Sequence, residues 1–238
     1  MPFSKLFERF ATNFLPPDVS DATRQKFENL ARYASARAGD APFRGNGHDQ
    51  IAFVASGSTK LVAHASGGRE QVVAFHFVGD LVSVPARAAH AYSLCALEEC
   101  ELIYFPAEQF FRLAIDEAGM ANEMLDRALK ALARCREKAI SLGRKNAQEK
   151  LASFLVTMAE RLGGAERLGG ADDPGHVFDL PMSRRDIGDS LGLTIETVSR
   201  QFSELRERGL LETAGRSKVR LIDMKGLNEH AGHLPVAA

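Results

Sequence analysis

The chain has 238 residues, enough for one large domain or two of ordinary size, and its 45% apolar and 26% charged residues exclude a disordered or fibrous chain. No apolar run approaches the roughly 18 residues that a membrane span needs, and Met1-Pro2-Phe3-Ser4-Lys5 lacks the charged-then-apolar pattern of a secretory signal, so no membrane partner and a cytoplasmic location are expected. The formal net charge of -1 gives no global basic signature, so any case for nucleic-acid binding has to rest on local patterning.

The stretch to about Leu15 reads as a short amphipathic arm, punctuated by Pro16-Pro17-Asp18-Val19-Ser20. Ser20 to Ala36 reads as a helix with Phe27, Leu30 and Ala31 on one side. From about Gly45 to Phe105 the character changes. Ile51–Val54, Lys60–Ala63, Gln71–Val78 and Leu102–Phe105 are rich in Val, Phe, Ile and Leu and alternate with turns at Gly57, Gly67-Gly68 and Gly79. Short strands split by glycine turns predict a small antiparallel barrel or sandwich.

Pro106 ends this β region, and Ala107 to about Leu142 is helical by period, with a break near Gly119. Met124, Leu125, Ala128, Leu129, Leu132, Ala139, Ile140 and Leu142 recur largely at spacings of three and four. Arg127, Lys130, Arg134, Arg136 and Lys138 lie opposite. An apolar stripe on so long a helix has to be buried, either on the chain's own barrel or, the simpler answer, on a second copy of the same helix. Met124, Ala128, Leu129, Leu132, Ala139 and Ile140 are the candidate dimer contacts. A second helix, Asn146 to Leu162, is followed by the glycine-rich stretch Gly163 to Gly175, which reads as a flexible loop. The tail from His230 to Ala238 reads as disordered. The expected organisation is therefore α+β, with a β-rich domain over 1–115, a dimerisation helix over 116–145 and a last domain over 146–238.

The last domain carries the most specific pattern. Ser183 starts a helix in capping-box style with Asp186 three positions on, and Ile187 and Leu191 supply its buried face. Gly192 is the small residue that a tight turn between two helices needs. Thr194 caps a second helix, Ile195 to about Arg208, with Val198, Phe202 and Leu205 inward and Glu196, Thr197, Ser199, Arg200 and Ser203 near the exposed face. In a major groove Arg holds guanine bidentately, Glu accepts from cytosine, and Ser is tolerant. Leu210–Thr213 and Lys218–Ile222 then flank Ala214-Gly215-Arg216-Ser217, a hairpin with a basic tip placed to touch phosphate. From Ser183 to Arg220 there are eight Arg and Lys against six Asp and Glu, a small local excess. The ordered run from about Pro181 to Leu211 is a helix-turn-helix with a wing, and it points to sequence-specific recognition of double-stranded DNA.

Nothing in the chain points to catalysis or to a bound cofactor. It has no phosphate-cradling loop, no nucleophile-and-base set and no metal-ligand cluster. Cys95, Cys100 and Cys135 are too few and too irregular for a disulfide framework or a zinc site. Cys135, among Arg134, Arg136 and Lys138, is the candidate for a redox role, because such neighbours favour a thiolate. His64, His76 and His90 have a spacing that gives no preference for a haem site over ordinary turn histidines.

Three runs resemble the CRP/FNR family of bacterial regulators: Arg144 to Leu155, Ser183-Arg184-Arg185-Asp186-Ile187-Gly188, and Leu191-Gly192-Leu193-Thr194-Ile195-Glu196-Thr197-Val198-Ser199-Arg200. Upstream, Gly67-Gly68-Arg69-Glu70 and Gly79-Asp80-Leu81 extend the likeness over most of the chain. The resemblance implies a cyclic-nucleotide-binding-type β-roll, a long dimerisation helix and a winged helix-turn-helix, with RNA polymerase as a further partner. Glu196-x-x-Ser199-Arg200 is similar to the FNR-type reading motif, where CRP has Gly in place of Ser199. By that similarity Glu196, Ser199 and Arg200 read a TTGA-type half-site in a palindromic operator, and Thr197, Ser183, Arg185 and Arg216 sit on phosphates. Thr194, Arg184 and Lys218 complete the candidate DNA-binding set.

The departures from the family bear on sensing. No cysteine precedes Cys95, so the N-terminal thiolates of an FNR-type iron–sulfur cluster are missing. Where the nucleotide cassette has Arg and Ser or Thr, eleven and twelve residues after the Gly that corresponds to Gly79, this chain has His90 and Ala91, and Arg87 comes three positions early. An FNR-type head without either set resembles the FixK branch, whose members activate microoxic and anaerobic genes. Two modes of control follow as expectations: a homodimer that binds DNA constitutively, or a regulator of the same fold gated by a ligand in the β-roll or by Cys135.

Overall fold

The computed structural model describes residues 2–44, 47–86, 88–163, 176–215 and 217–232, apart from the side chains of Phe43, Arg44 and Ala118. The chain divides into two compact units, Met1–Ala133 and Arg134–Ala238.

In the first unit the amphipathic start folds as α1 (Phe3–Phe14), and Leu6, Phe7, Phe10, Ala11 and Phe14 at helical spacing are all buried. Helix α2 (Asp21–Leu30) begins where the Ser20 hydroxyl accepts the Thr23 N–H at 3.1 Å. It stops at Leu30 rather than Ala36. Arg32–Ala36 is instead a strand, β1, laid antiparallel on β8 (Cys100–Pro106). That ladder supplies its backbone partners from nearly 70 residues away. Between them run β2 (Phe43–Arg44), β3 (Gln50–Ser56), β4 (Thr59–His64), β5 (Glu70–His76), β6 (Leu81–Val84) and β7 (Ala91–Ala96). The four expected strand segments fall in β3, β4, β5 and β8; the other strands are additions to that expectation.

The strands form two antiparallel four-stranded sheets, in the orders β1-β8-β3-β6 and β2-β7-β4-β5. Strand β3 is buried on both sides, which is why it reads as a continuous apolar run. Its Ala52 and Val54 join Leu61, Val82, Val84, Leu94, Ala96 and Leu102 in a core drawn from both sheets. Its Ile51, Phe53 and Ala55 join Ile103, Phe105 and the helices in a second core. Phe10 centres that second core, 4.9 Å from the Phe105 centroid and 5.5 Å from Phe53. Helix α3 (Ala107–Ile115) follows β8, and α4 (Ala118–Arg144) follows α3. The break between them lies at Asp116-Glu117, and Gly119 stands within the first turn of α4.

The second unit takes the last turns of α4, then α5 (Ala147–Leu162), β9 (His176–Asp179), α6 (Arg184–Leu191), α7 (Ile195–Glu207), β10 (Leu211–Ala214), β11 (Lys218–Leu221) and α8 (Met224–His230). Asn146 and Glu149 close a reciprocal capping box at the start of α5. Leu151, Leu155, Val198, Leu205, Leu211 and Leu227 are among the side chains of its core. The wing sheet has three strands, β10-β11-β9, of which β9 is the addition to the expected hairpin. His230 closes α8 instead of opening a tail, while residues 164–175 of the expected loop and 233–238 of the expected tail lie outside the described residues. Among the described residues no helix is long and apolar enough to cross a membrane.

Candidate nucleic-acid interface

The helix-turn-helix is built by local chemistry at its three joints. At the first, the Ser183 hydroxyl accepts the Asp186 N–H at 3.1 Å and donates to Asp186 Oδ2 at 2.6 Å, while the Ser183 N–H donates to the same carboxylate at 2.9 Å. The hydroxyl proton of Ser183 is therefore held in the cap. At the turn, Gly192 has φ +65°, the left-handed conformation that closes α6. A Cβ on Gly188 would stand 2.6 Å from the Leu193 carbonyl, so that position also has to be glycine for the turn to pass. At the third joint the Thr194 hydroxyl accepts the Thr197 N–H at 3.2 Å and starts α7.

Ile187, Leu191, Val198, Phe202 and Leu205 are buried, as their spacing requires, and this leaves one face of α7 outward. Glu196, Ser199 and Arg200 are exposed on it within a single turn, with Thr197 and Ser203 half-buried at its edge. Glu196 is fully exposed, and its own N–H and the Thr194 hydroxyl, with Arg185 nearby, hold its carboxyl below the usual carboxylate range. It is thus an acceptor only, the role that pairs with a cytosine amine. Ser199 donates to the Ile195 carbonyl at 2.8 Å, and Arg200 Nε stands 3.8 Å from Glu204 Oε1. Both contacts are solvent-facing and weak, so they are exchangeable for base edges.

Arg185 is exposed at the first turn of α6. Arg184 is placed differently from the expectation of a phosphate contact. Its guanidinium lies 3.2 Å over the Phe202 ring, and burial pulls its pKa down to about 10. It braces α6 against α7 from within. On the wing, Lys218 is exposed, and Arg216 lies outside the described residues. Lys218 shares a groove of about 310 Å³ with Arg206, Arg220, Glu212 and Val177, a basic surface that the hairpin reading did not include beyond its tip.

The candidate dimer residues divide. Ala128, Leu129, Leu132, Ala139 and Ile140 are exposed on α4, as is Leu125, with Leu125 and Leu129 at 60% and 57%. Met124 is half-buried and packs on the core of its own unit.

Two family models match the chain: one described as the Crp-like helix-turn-helix domain over residues 149–230, the other as the cyclic nucleotide-binding domain over residues 34–117. The transcriptional activator protein FnrL of Cereibacter sphaeroides is 34% identical over 206 residues, which cover 86% of this chain and 82% of that protein. The chain belongs to the CRP/FNR family. The nitrogen fixation regulation protein FixK of Rhizobium meliloti is 37% identical over 168 residues, covering 71% of this chain and 72% of the relative. The solved structure of FixK2 from Bradyrhizobium japonicum superposes with a TM-score of 0.71 at 27% identity, over 87% of this chain and 100% of that one. CRP/FNR proteins of this kind are DNA-binding transcription regulators and not enzymes, and this chain has their β-roll, long helix and helix-turn-helix.

For this CRP/FNR member the residues of the roll fit a cyclic nucleotide poorly. His90 and Ala91 stand exposed at the start of β7, and Ala91 has no side-chain donor for a phosphate. Arg87 lies outside the described residues. An iron–sulfur cluster fits no better. Cys100 is buried with its pKa raised to about 11 by that burial, Cys95 is half-buried, and Cys135 is exposed on α4. His64 stands between Ser93, 2.9 Å from Nε2, and Glu70, 3.2 Å from Nδ1, while His76 lies 3.8 Å from Asp80.

Proposed function

We propose that this CRP/FNR regulator works as a homodimer that reads a palindromic TTGA-type operator with two copies of α7 and activates transcription through RNA polymerase. The observation that carries the reading is the exposed Glu196, Ser199 and Arg200 on one turn of a helix capped at both of its neighbours. Arg200 holds the guanine and Glu196 the cytosine of the half-site, with Ser199 between them. Thr194, Thr197, Ser183 and Arg185 line the first turns of the two helices, where backbone N–H groups and the positive helix ends favour phosphate. Lys218 and Arg216 supply the wing's phosphate contacts. The exposed Leu125, Leu129, Leu132 and Ile140 face supports pairing through α4, since an apolar stripe of that length left in water is costly. Relatives named for nitrogen fixation regulation and for FNR-type activation support control of microoxic, anaerobic or nitrogen-oxide genes in the cytoplasm.

The test is a fluorescence-anisotropy titration of purified, ligand-free protein on a palindromic TTGA duplex and on a scrambled duplex at one stated salt concentration. The expected preference is about 10³-fold or more. Equal affinity for the two duplexes would contradict the reading. A palindrome bound no more tightly than a single half-site would contradict the dimer.

A further inference from the structure

Arg127, on α4, engages three different elements with one guanidinium. Its Nε donates to Glu123 Oε1 at 2.6 Å, one turn back along the same helix. Its Nη1 donates to the Gly79 carbonyl at 3.2 Å in the turn between β5 and β6, and its Nη2 to the Asn13 carbonyl at 2.7 Å in the last turn of α1. The guanidinium carbon stands 5.6 Å from the Phe14 ring centroid. The last carbonyls of α1 have no partner within the helix and carry its negative end, so they attract a cation. A planar fork reaches two carbonyls and a carboxylate together, whereas an ammonium on a flexible stem does not.

What this clamp fixes is the rotation of α4 about its own axis. Met120, Met124, Arg127 and Ala131 follow one another on the buried or half-buried side, and Leu125, Leu129 and Leu132 are exposed. With about 3.6 residues per turn, Leu129 points roughly 160° away from Arg127. Apolar packing of Met120 and Met124 is non-directional and lets a helix roll; hydrogen bonds to fixed carbonyls do not.

We propose that Arg127 is a positioning residue for operator binding: clamped to the Asn13 and Gly79 carbonyls, it holds the first half of α4 with Leu125, Leu129 and Leu132 outward, so that the dimer binds DNA without a small-molecule effector. The inference rests on the dimeric DNA-binding reading above. An effector moves a two-state equilibrium only by its differential affinity for the two states. A clamp already closed in the ligand-free chain leaves little for an effector to shift.

The experiment compares ligand-free wild type, Arg127→Ala and Arg127→Lys for operator affinity by anisotropy and for dimer dissociation by sedimentation, at a temperature where circular dichroism shows all three folded. Arg127→Ala is expected to weaken both by about 5- to 150-fold, the range of ordinary coupling between sites. Arg127→Lys, which keeps the charge and reaches one carbonyl, is expected to recover part of each. A role in folding alone would shift the melting temperature and leave both constants of the folded protein unchanged, and that result overturns the proposal. Should Arg127→Ala not fold, Arg127→Lys carries the comparison: intermediate constants support the clamp and wild-type constants overturn it. Wild type that binds the operator only after addition of a small-molecule cell extract overturns the clamp and leaves the DNA-binding reading standing. Wild type that binds no duplex under either condition removes that reading, and the clamp with it.

Discussion

Replacing Leu129 with Ala separates the dimer from the fold. Leu129 is 57% exposed on α4, so its removal takes little from the packing of its own unit. Complete burial of a leucine is worth about 1.5–3 kcal/mol, and the exposed part left for a partner is worth about 1–1.5 kcal/mol. Alanine retains the Cβ, which lowers that figure, while two-fold symmetry counts the change twice in each dimer. The net cost is about 1–2 kcal/mol per dimer, roughly a 5- to 30-fold rise in the dimer dissociation constant. Sedimentation over a concentration series measures it, and the midpoint of urea unfolding at concentrations where both proteins are monomeric should not move. Met124→Ala should show the converse pattern, because Met124 packs on the core of its own unit: lower stability, with dimerisation affected only through it. A Leu129→Ala protein that dimerises as tightly as wild type would refute the assignment of the α4 face.

Three further predictions concern the wing, the end of the long helix and Cys135. Lys218→Ala should weaken binding about equally on specific and scrambled DNA and lower the salt-dependence slope by about 0.9, as loss of one phosphate contact does; titration at several salt concentrations checks this. Lys138 donates to Ser190 at 2.9 Å, and burial lowers its pKa from 10.5 to about 8. Between those values the unfolded chain binds the extra proton, so this group makes stability rise with pH. Cys100, raised to about 11 from 9.0, has the opposite effect at the alkaline end. Urea titrations at about pH 7.5 and about pH 10 should therefore show wild type gaining stability relative to Lys138→Met, which lacks the amine. Peroxide should reduce DNA affinity in wild type and not in Cys135→Ser, measured by anisotropy before and after treatment.

The parts of this protein legible in its sequence are those fixed by neighbours along the chain. Ser183 with Asp186, Gly192, and Thr194 with Thr197 act over two to four residues, so both helices of the reading head and the turn between them could be placed from residue type alone. Alternating or continuous apolar runs located β3, β4, β5 and β8 for the same reason. Strand β1 was hidden because Arg32-Tyr33-Ala34-Ser35-Ala36 is compatible with a helix and becomes a strand only through β8. Strand β9 likewise exists through its pairing with β11, about 40 residues on. Arg127 and Arg184 were legible as surface cations and nothing more. Their partners, Asn13 at a separation of 114 residues and Phe202 on the next helix, are brought to them by the fold. Long side chains with distant partners leave no periodic signal. The wing groove around Arg206, Lys218 and Arg220 was missed for a related cause, because Arg206 comes from the end of α7 and joins the hairpin only in three dimensions.

The account stands or falls on α7 reading bases through Arg200. The direct measurement is a double-mutant cycle in which wild type and Arg200→Ala are each titrated on the operator and on an operator with the half-site guanine replaced in both arms. Wild type should lose about 1–3 kcal/mol per replaced guanine, and Arg200→Ala should bind the two duplexes alike. Discrimination at that base pair that survives unchanged in Arg200→Ala would contradict it.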